Sequence, residues 1–176
     1  MKAVLRPSKL NAHPLVAATL HRASPLTFSW HYHQQFEMVL ILEGSGVRHV
    51  GNSLEEYVAG DLVLMGPGLP HRYASTTEDA PSDFIVVHFD PALLVPALNG
   101  DATLAALNAL LRMCARGVAF AAQVANEVAP LIQELPTCST LGRWAQLLKV
   151  LERLSEARGN RPLCNTAFEE DRKSVV

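Results

Sequence analysis

The feature that most constrains this chain is a change of texture near residue 95. Before it, short apolar runs rich in Val, Phe, Tyr and Leu are broken at short intervals by Gly, Pro and Asn. Such a text belongs to an antiparallel sandwich or barrel. Strands are predicted over residues 27–33, 36–43, 47–50, 54–58, 61–65, 71–74 and 84–89. The breaks between them, among them Gly44-Ser45-Gly46, Gly51-Asn52-Ser53 and Gly66-Pro67-Gly68-Leu69-Pro70, supply residues that tolerate turn dihedrals.

After residue 100 the text is rich in Ala, Leu, Glu and Arg, and the apolar spacing becomes helical. Asp101 is placed to N-cap a helix over 102–115 that Gly117 ends. Phe120, Val124, Val128, Leu131, Ile132 and Leu135 mark a second helix, which Pro130 must kink or divide. A third is predicted over 140–158. Its apolar residues (Leu141, Trp144, Leu147, Leu148, Val150, Leu151 and Leu154) cover nearly half its surface, more than one contact can bury. The expected organisation is a β-barrel over 1–95, a helical segment over 96–159 and a disordered tail over 160–176.

Composition limits the function. The 176 residues are 49% hydrophobic and 18% charged, a folded composition. The net charge of −2 gives no electrostatic footprint for nucleic acid. No apolar run is long enough to span a bilayer, and the N-terminus lacks a signal-peptide core. Cys114, Cys138 and Cys164 form no C-x-x-C pair and read as inert reduced thiols. A cytoplasmic location is expected.

All seven histidines fall in the first half, so histidine chemistry must be built there. In His31-Tyr32-His33-Gln34-Gln35-Phe36-Glu37, the residues His31, His33 and Glu37 share strand parity and point to one side. An unbroken strand would leave Glu37 ~13 Å from His33 at Cα, so a shared ion needs a bend. Further on, Gly66-Pro67-Gly68 turns the chain and delivers His71. Three imidazoles and a carboxylate form a ligand set that leaves positions open on a divalent transition ion such as Zn, Ni, Fe or Mn.

On these residues the chain resembles the cupin superfamily. His31-x-His33-x3-Glu37-x6-Gly44 fits its first motif and Gly60-x7-Gly68-x2-His71 most of its second. Gly66 stands where that motif usually has Pro, and Ser75 where it usually has Asn. The wider text EMVLILEGSGVRHVGNSLEEYVAGDLVLMGPGLPHRY, with RMCARGVAF and LGRWAQLLKVLERLSEA, is similar to the N-terminal sensor domains of AraC-type transcription regulators, over roughly residues 25–158. The resemblance implies a double-stranded β-helix barrel with a metal inside, followed by two or three α-helices that mediate dimerisation. It implies a small-molecule effector and a homodimer. The stretch after Arg158 is too short for the helix-turn-helix domain of such regulators, so no DNA binding by this chain alone is expected, and no membrane contact.

Two further residues are candidate effector contacts. Arg48 can reach a barrel mouth and hold a carboxylate. His88 shares parity with Phe84 and Val86 and is either a hydrogen-bonded core histidine or a cavity-lining contact. His49 is expected on an exposed strand face, and Trp30 and Tyr32 outside the barrel under the helices. The competing reading is a metal-dependent enzyme, a dioxygenase or isomerase; a third treats the metal as purely structural.

Overall fold

The computed structural model describes residues 3–5, 15–24, 26–76 and 80–166. Its strands are β1 (Val4–Leu5), β2 (Val16–Ser24), β3 (His31–Tyr32), β4 (Phe36–Glu43), β5 (Ser45–Val50), β6 (Ser53–Val58), β7 (Leu62–Met65), β8 (His71–Ser75), β9 (Ser82–Phe89), β10 (Val118–Ala119) and β11 (Arg161–Pro162). They form two sheets, ordered β1-β3-β8-β5-β6 and β11-β10-β7-β4-β9-β2. The helices are a short α1 (Val95–Leu98), then α2 (Ala105–Met113), α3 (Ala122–Glu134) and α4 (Thr140–Glu156).

The second sheet is buried on both faces, which is why Met38–Ile41 and Ile85–Val87 read as continuous apolar runs. Phe36, Met38 and Leu40 of β4, with Ile85, Val87 and Phe89 of β9, pack against Leu110, Leu111, Val128, Ile132, Leu147, Val150, Leu151 and Leu154 of the helices. The alternate residues Val39, Ile41, Phe84 and Val86 face the first sheet and fill the interior with Tyr57, Val63 and Tyr73. Each large apolar side chain contributes ~1.5–3 kcal/mol on burial, so the helices are part of the core. The fold is thus the mainly β barrel with C-terminal helices that the sequence predicts.

Several local expectations are corrected. Residues 27–33 do not form one strand: Thr27 makes a single bridge to Ala74, and only His31–Tyr32 pairs regularly. Trp30 lies on the outer face of the first sheet, its ring centroid 4.4 Å from that of His49, and Tyr32 shares that sheet. Neither is under the helices, which pack on the other sheet. The helix of 102–115 is a 3-10 turn over Ala102–Leu104, then α2, then another 3-10 turn over Cys114–Arg116. Asp101 caps the first, accepting from the Thr103 N–H. Helix α3 runs undivided through Pro130. The expected tail does not begin at Asn160: β11 pairs with β10, and Leu163 and Cys164 are buried because their apolar side chains close the barrel edge. Residues 167–176 lie outside the described residues.

Candidate metal centre

Four side chains from three segments meet at one end of the barrel. His31 is on β3, His33 in the bend that follows, Glu37 on β4 and His71 at the start of β8. The backbone leaves the first sheet at His33 and enters the second at Phe36. That break supplies the bend an unbroken strand lacks. His31 and His71 are direct partners in the β3–β8 register. One ligand atom from each of the four lies within 4.8 Å of all the others, and all four residues are buried.

The turn before His71 is fixed by two glycines. Gly68 has φ 76°, and its N–H donates to the His33 carbonyl at 2.8 Å, tying the two ligand segments together. Gly66 donates its N–H to the Cys114 carbonyl at 2.8 Å, and a Cβ there would sit 2.8 Å from that oxygen. Proline has no N–H to give and would clash, so the departure at Gly66 has a physical reason: this turn is hooked to the end of α2. Ser75, at the other departure, accepts the Leu26 N–H through its hydroxyl at 2.9 Å.

Hydrogen bonds select the tautomers. Nδ1 of His31, His33 and His71 lies 2.7, 3.1 and 2.8 Å from the carbonyls of Ser29, Gln35 and Leu69. A carbonyl only accepts, so each Nδ1 donates and each Nε2 of the neutral ring presents a lone pair. Those lone pairs converge on a carboxylate: His33 Nε2 lies 2.9 Å from Glu37 Oε2, and His71 Nε2 3.4 Å from Oε1. Acceptors facing acceptors in a buried space call for a proton or a cation between them. His71 Nε2 is buried with no hydrogen-bond partner among the described residues. The donor set therefore fits a divalent ion, with backbone carbonyls as the outer shell that orients the rings.

The electrostatics favour the neutral ligand form at His31 but the protonated ring at His71. Burial, with the charge of His71, pushes His31 down to about 4 and favours the neutral ligand form. Burial opposes the charge of Glu37, but the surrounding imidazoles, His71 foremost, outweigh it and hold the carboxyl well below its usual range. His71 is raised: burial lowers it, and Glu37 more than reverses that.

Of the two candidate effector contacts, the structure brings one to the cluster. His88 is the cross-strand partner of Glu37, with Nε2 2.7 Å from Oε2. Arg48 partners Tyr73 rather than His71 across β5–β8, and its buried guanidinium is paired with Asp61 and with Glu55. His49 is half-buried on the outer face against Trp30. The Cys114 and Cys164 thiols are buried and donate to the carbonyls of Leu110 and Val50. Sequence reasoning did not single out Tyr73, whose buried hydroxyl has no hydrogen-bond partner among the described residues. Its parity with His71 along β8 was the available signal.

A small double-sheeted barrel with a histidine–carboxylate cluster inside and helices packed on one sheet defines a cupin-type domain. The family model of the AraC-like ligand binding domain matches residues 13–168, and the chain belongs to that family. An acireductone dioxygenase of Schizosaccharomyces pombe is 33% identical over 69 residues, covering 36% of this chain and 39% of the relative. Among solved structures, the Bacillus subtilis oxalate decarboxylase, whose Mn(II) centres have been characterised, aligns with TM-score 0.39 at 22% identity over 46% of this chain and 23% of its own. A cupin 2 conserved barrel protein of Salinispora arenicola aligns with TM-score 0.39 at 22% identity over 44% of this chain and 65% of its own. The chain thus spans only 39% of the dioxygenase and 23% of the decarboxylase.

Proposed function

We propose that this domain senses a small oxygen-bearing effector, a carboxylate or hydroxy acid, at a divalent first-row transition metal held by His31, His33, Glu37 and His71. In this reading it is the sensor and dimerisation module of an AraC-type transcription regulator, working in the cytoplasm. The observation that carries the reading is the convergence of three Nδ1-pinned imidazoles and one buried carboxylate, inside a ligand-binding domain. A bound ion supplies Lewis acidity and a coordination position for an effector oxygen. The protein's own groups exclude water, fix the ring orientations and hold Glu37 ionised. Arg48 is assigned a structural role, since its guanidinium already meets two carboxylates.

Helix α4 supports a homodimer. Leu147, Val150, Leu151 and Leu154 are buried, whereas Leu141 is 80% and Leu148 47% exposed, two turns apart on one face. A partner copy covering that face would bury them. The near-neutral charge offers no phosphate clamp, so no DNA affinity of this chain alone is expected.

The second reading, a metal-dependent dioxygenase or isomerase, draws on the same donor set and on the segment shared with the acireductone dioxygenase. A thermal-shift screen of metal-loaded and metal-free protein against carboxylates and hydroxy acids separates them. Sensing predicts stabilisation by one ligand class only in the loaded protein, with the ligand recovered unchanged. Consumption of the ligand with O₂ uptake moves the assignment to the enzyme.

A further inference from the structure

The four histidines around Glu37 divide into two kinds by their hydrogen bonds. His31, His33 and His71 each donate Nδ1–H to a backbone carbonyl two residues away, leaving Nε2 as a lone-pair donor. His88 is wired the other way. Its Nε2 lies 2.7 Å from Glu37 Oε2, and an ionised carboxylate only accepts. His33 Nε2 also lies 2.9 Å from that oxygen, but the Gln35 carbonyl holds its proton on Nδ1; His88 carries its proton on Nε2, the nitrogen aimed at the cluster. Among the described residues no backbone carbonyl holds its Nδ1, and it stands outside the group of four whose ligand atoms lie within 4.8 Å of one another. The contact is built into the sheet, because Glu37 and His88 are direct partners in the β4–β9 register and both point inward.

From this wiring we infer that His88 is a positioning residue that occupies Oε2 of Glu37 and restricts the carboxylate to binding through Oε1. The inference rests on the metal reading above. A carboxylate free to bind through both oxygens would take a coordination position that an incoming oxygen donor needs. With His88 holding Oε2, that position stays available. Loss of the donor should therefore weaken the binding of an exogenous ligand more than the binding of the ion itself. Removing an outer-shell partner typically costs roughly 10–100-fold in metal affinity or activity, and here the larger share is expected at the exogenous ligand.

The test uses the full chain loaded with Co(II), read by its visible d–d absorption, with azide as the exogenous probe. Wild type should bind Co(II) and respond spectrally to azide. His88→Ala and His88→Phe, one leaving space and the other a ring without a donor, should still take up Co(II). Both should show weaker d–d bands, as coordination number rises, and bind azide about tenfold more weakly or worse. His88→Gln, whose amide N–H can reach the same oxygen, should restore the wild-type response. Azide binding and spectra unchanged in both donor-less variants would overturn the inference while leaving the metal centre standing. Failure of the donor-less variants to hold Co(II) at all would also overturn it, since His88 would then be a ligand or essential to the site. Absence of Co(II) binding by wild type would remove the metal reading itself, and this inference with it.

Discussion

Two clusters of ionisable side chains lie within the same barrel, and they are assembled on opposite principles. In the first, His31, His33, His71 and Glu37 turn lone pairs toward one another, and one buried nitrogen has no hydrogen-bond partner among the described residues. In the second, Arg48 sits between Asp61 and Glu55, and Arg161 grips Glu55 from the C-terminal strand, with one N···O distance of 2.9 Å. Opposite charges meet there, and among the described residues the Arg48 Nε is the buried atom of these groups left without a partner. The second cluster is nearly complete as it stands and joins β5 and β6 to β11. The first, in the reading proposed above, is completed by a cation. Burial is similar for His71 and Arg48, at 1% and 3% exposure. In that reading, what separates a binding centre from a structural brace is whether its partners are already present, not how deep it lies.

That contrast is broken most strongly at Arg48. Arg48→Leu removes a buried cation and leaves Asp61, which burial already pushes up against the pull of Arg48, without its partner. Breaking a buried pair costs about 3–5 kcal/mol. The low end applies here, because Asp61 and Glu55 keep some solvent access. Urea unfolding should show this loss, while the metal affinity of the folded fraction stays at the wild-type value. A drop in metal affinity matching the drop in stability would mean that the two clusters are one unit.

The next effect belongs to the histidine cluster. A ligand that binds only the native state stabilises it by about 2.7 kcal/mol at a hundredfold excess over Kd. Zn(II) or Ni(II) added to metal-free protein should raise its Tm accordingly. The rise should vanish in His33→Ala combined with His71→Ala and persist in Arg48→Leu.

Arg161→Ala should be milder, under about 1 kcal/mol near neutral pH, because the pair is solvent-exposed. Its clearest trace is in acid. The Arg161 hydrogen bond, against the opposing effect of burial, brings Glu55 down to about 2 from an ordinary 4.5. A depressed carboxyl stabilises the fold above its unfolded value and loses that contribution as pH falls toward the folded one. Wild type should therefore lose this increment between about pH 4.5 and 2. In Arg161→Ala the dependence in that window should be smaller, as followed by urea midpoints at stepped pH. The smallest effect on the folded chain should come from Leu141→Glu with Leu148→Glu, both solvent-facing in a single copy. The pair should leave the unfolding midpoint within about 0.5 kcal/mol and abolish dimerisation in sedimentation; a wild type that sediments as a monomer at micromolar concentration contradicts the interface.

How far the sequence reveals all this depends on the range of the interactions. Strand β4 is readable because its residues face two apolar layers, and the ligand set is readable because H-x-H-x3-E and the turn before His71 are local patterns. Strand β2 is not, since Val16-Ala17-Ala18-Thr19 has neither β-branched density nor clean alternation and is held by its register with β9. Two-residue strands such as β10 and β11 have no period to detect. The partners of Arg48 and His88 are missed for a related reason. Strand parity gives the side a residue faces, but the neighbour opposite is set by cross-strand register and, for Glu55 and Arg161, by a C-terminal segment that reads as a tail.

The buried histidine–glutamate cluster is proposed above as a metal centre of this ligand-binding domain. Its most direct test is the metal content of protein made without a histidine tag, equilibrated with Zn(II) or Ni(II) and freed of excess. The account predicts about one ion per chain in wild type and none in the double variant His33→Ala, His71→Ala at the same degree of folding. Full retention of metal by that variant, or no metal in wild type, would contradict it.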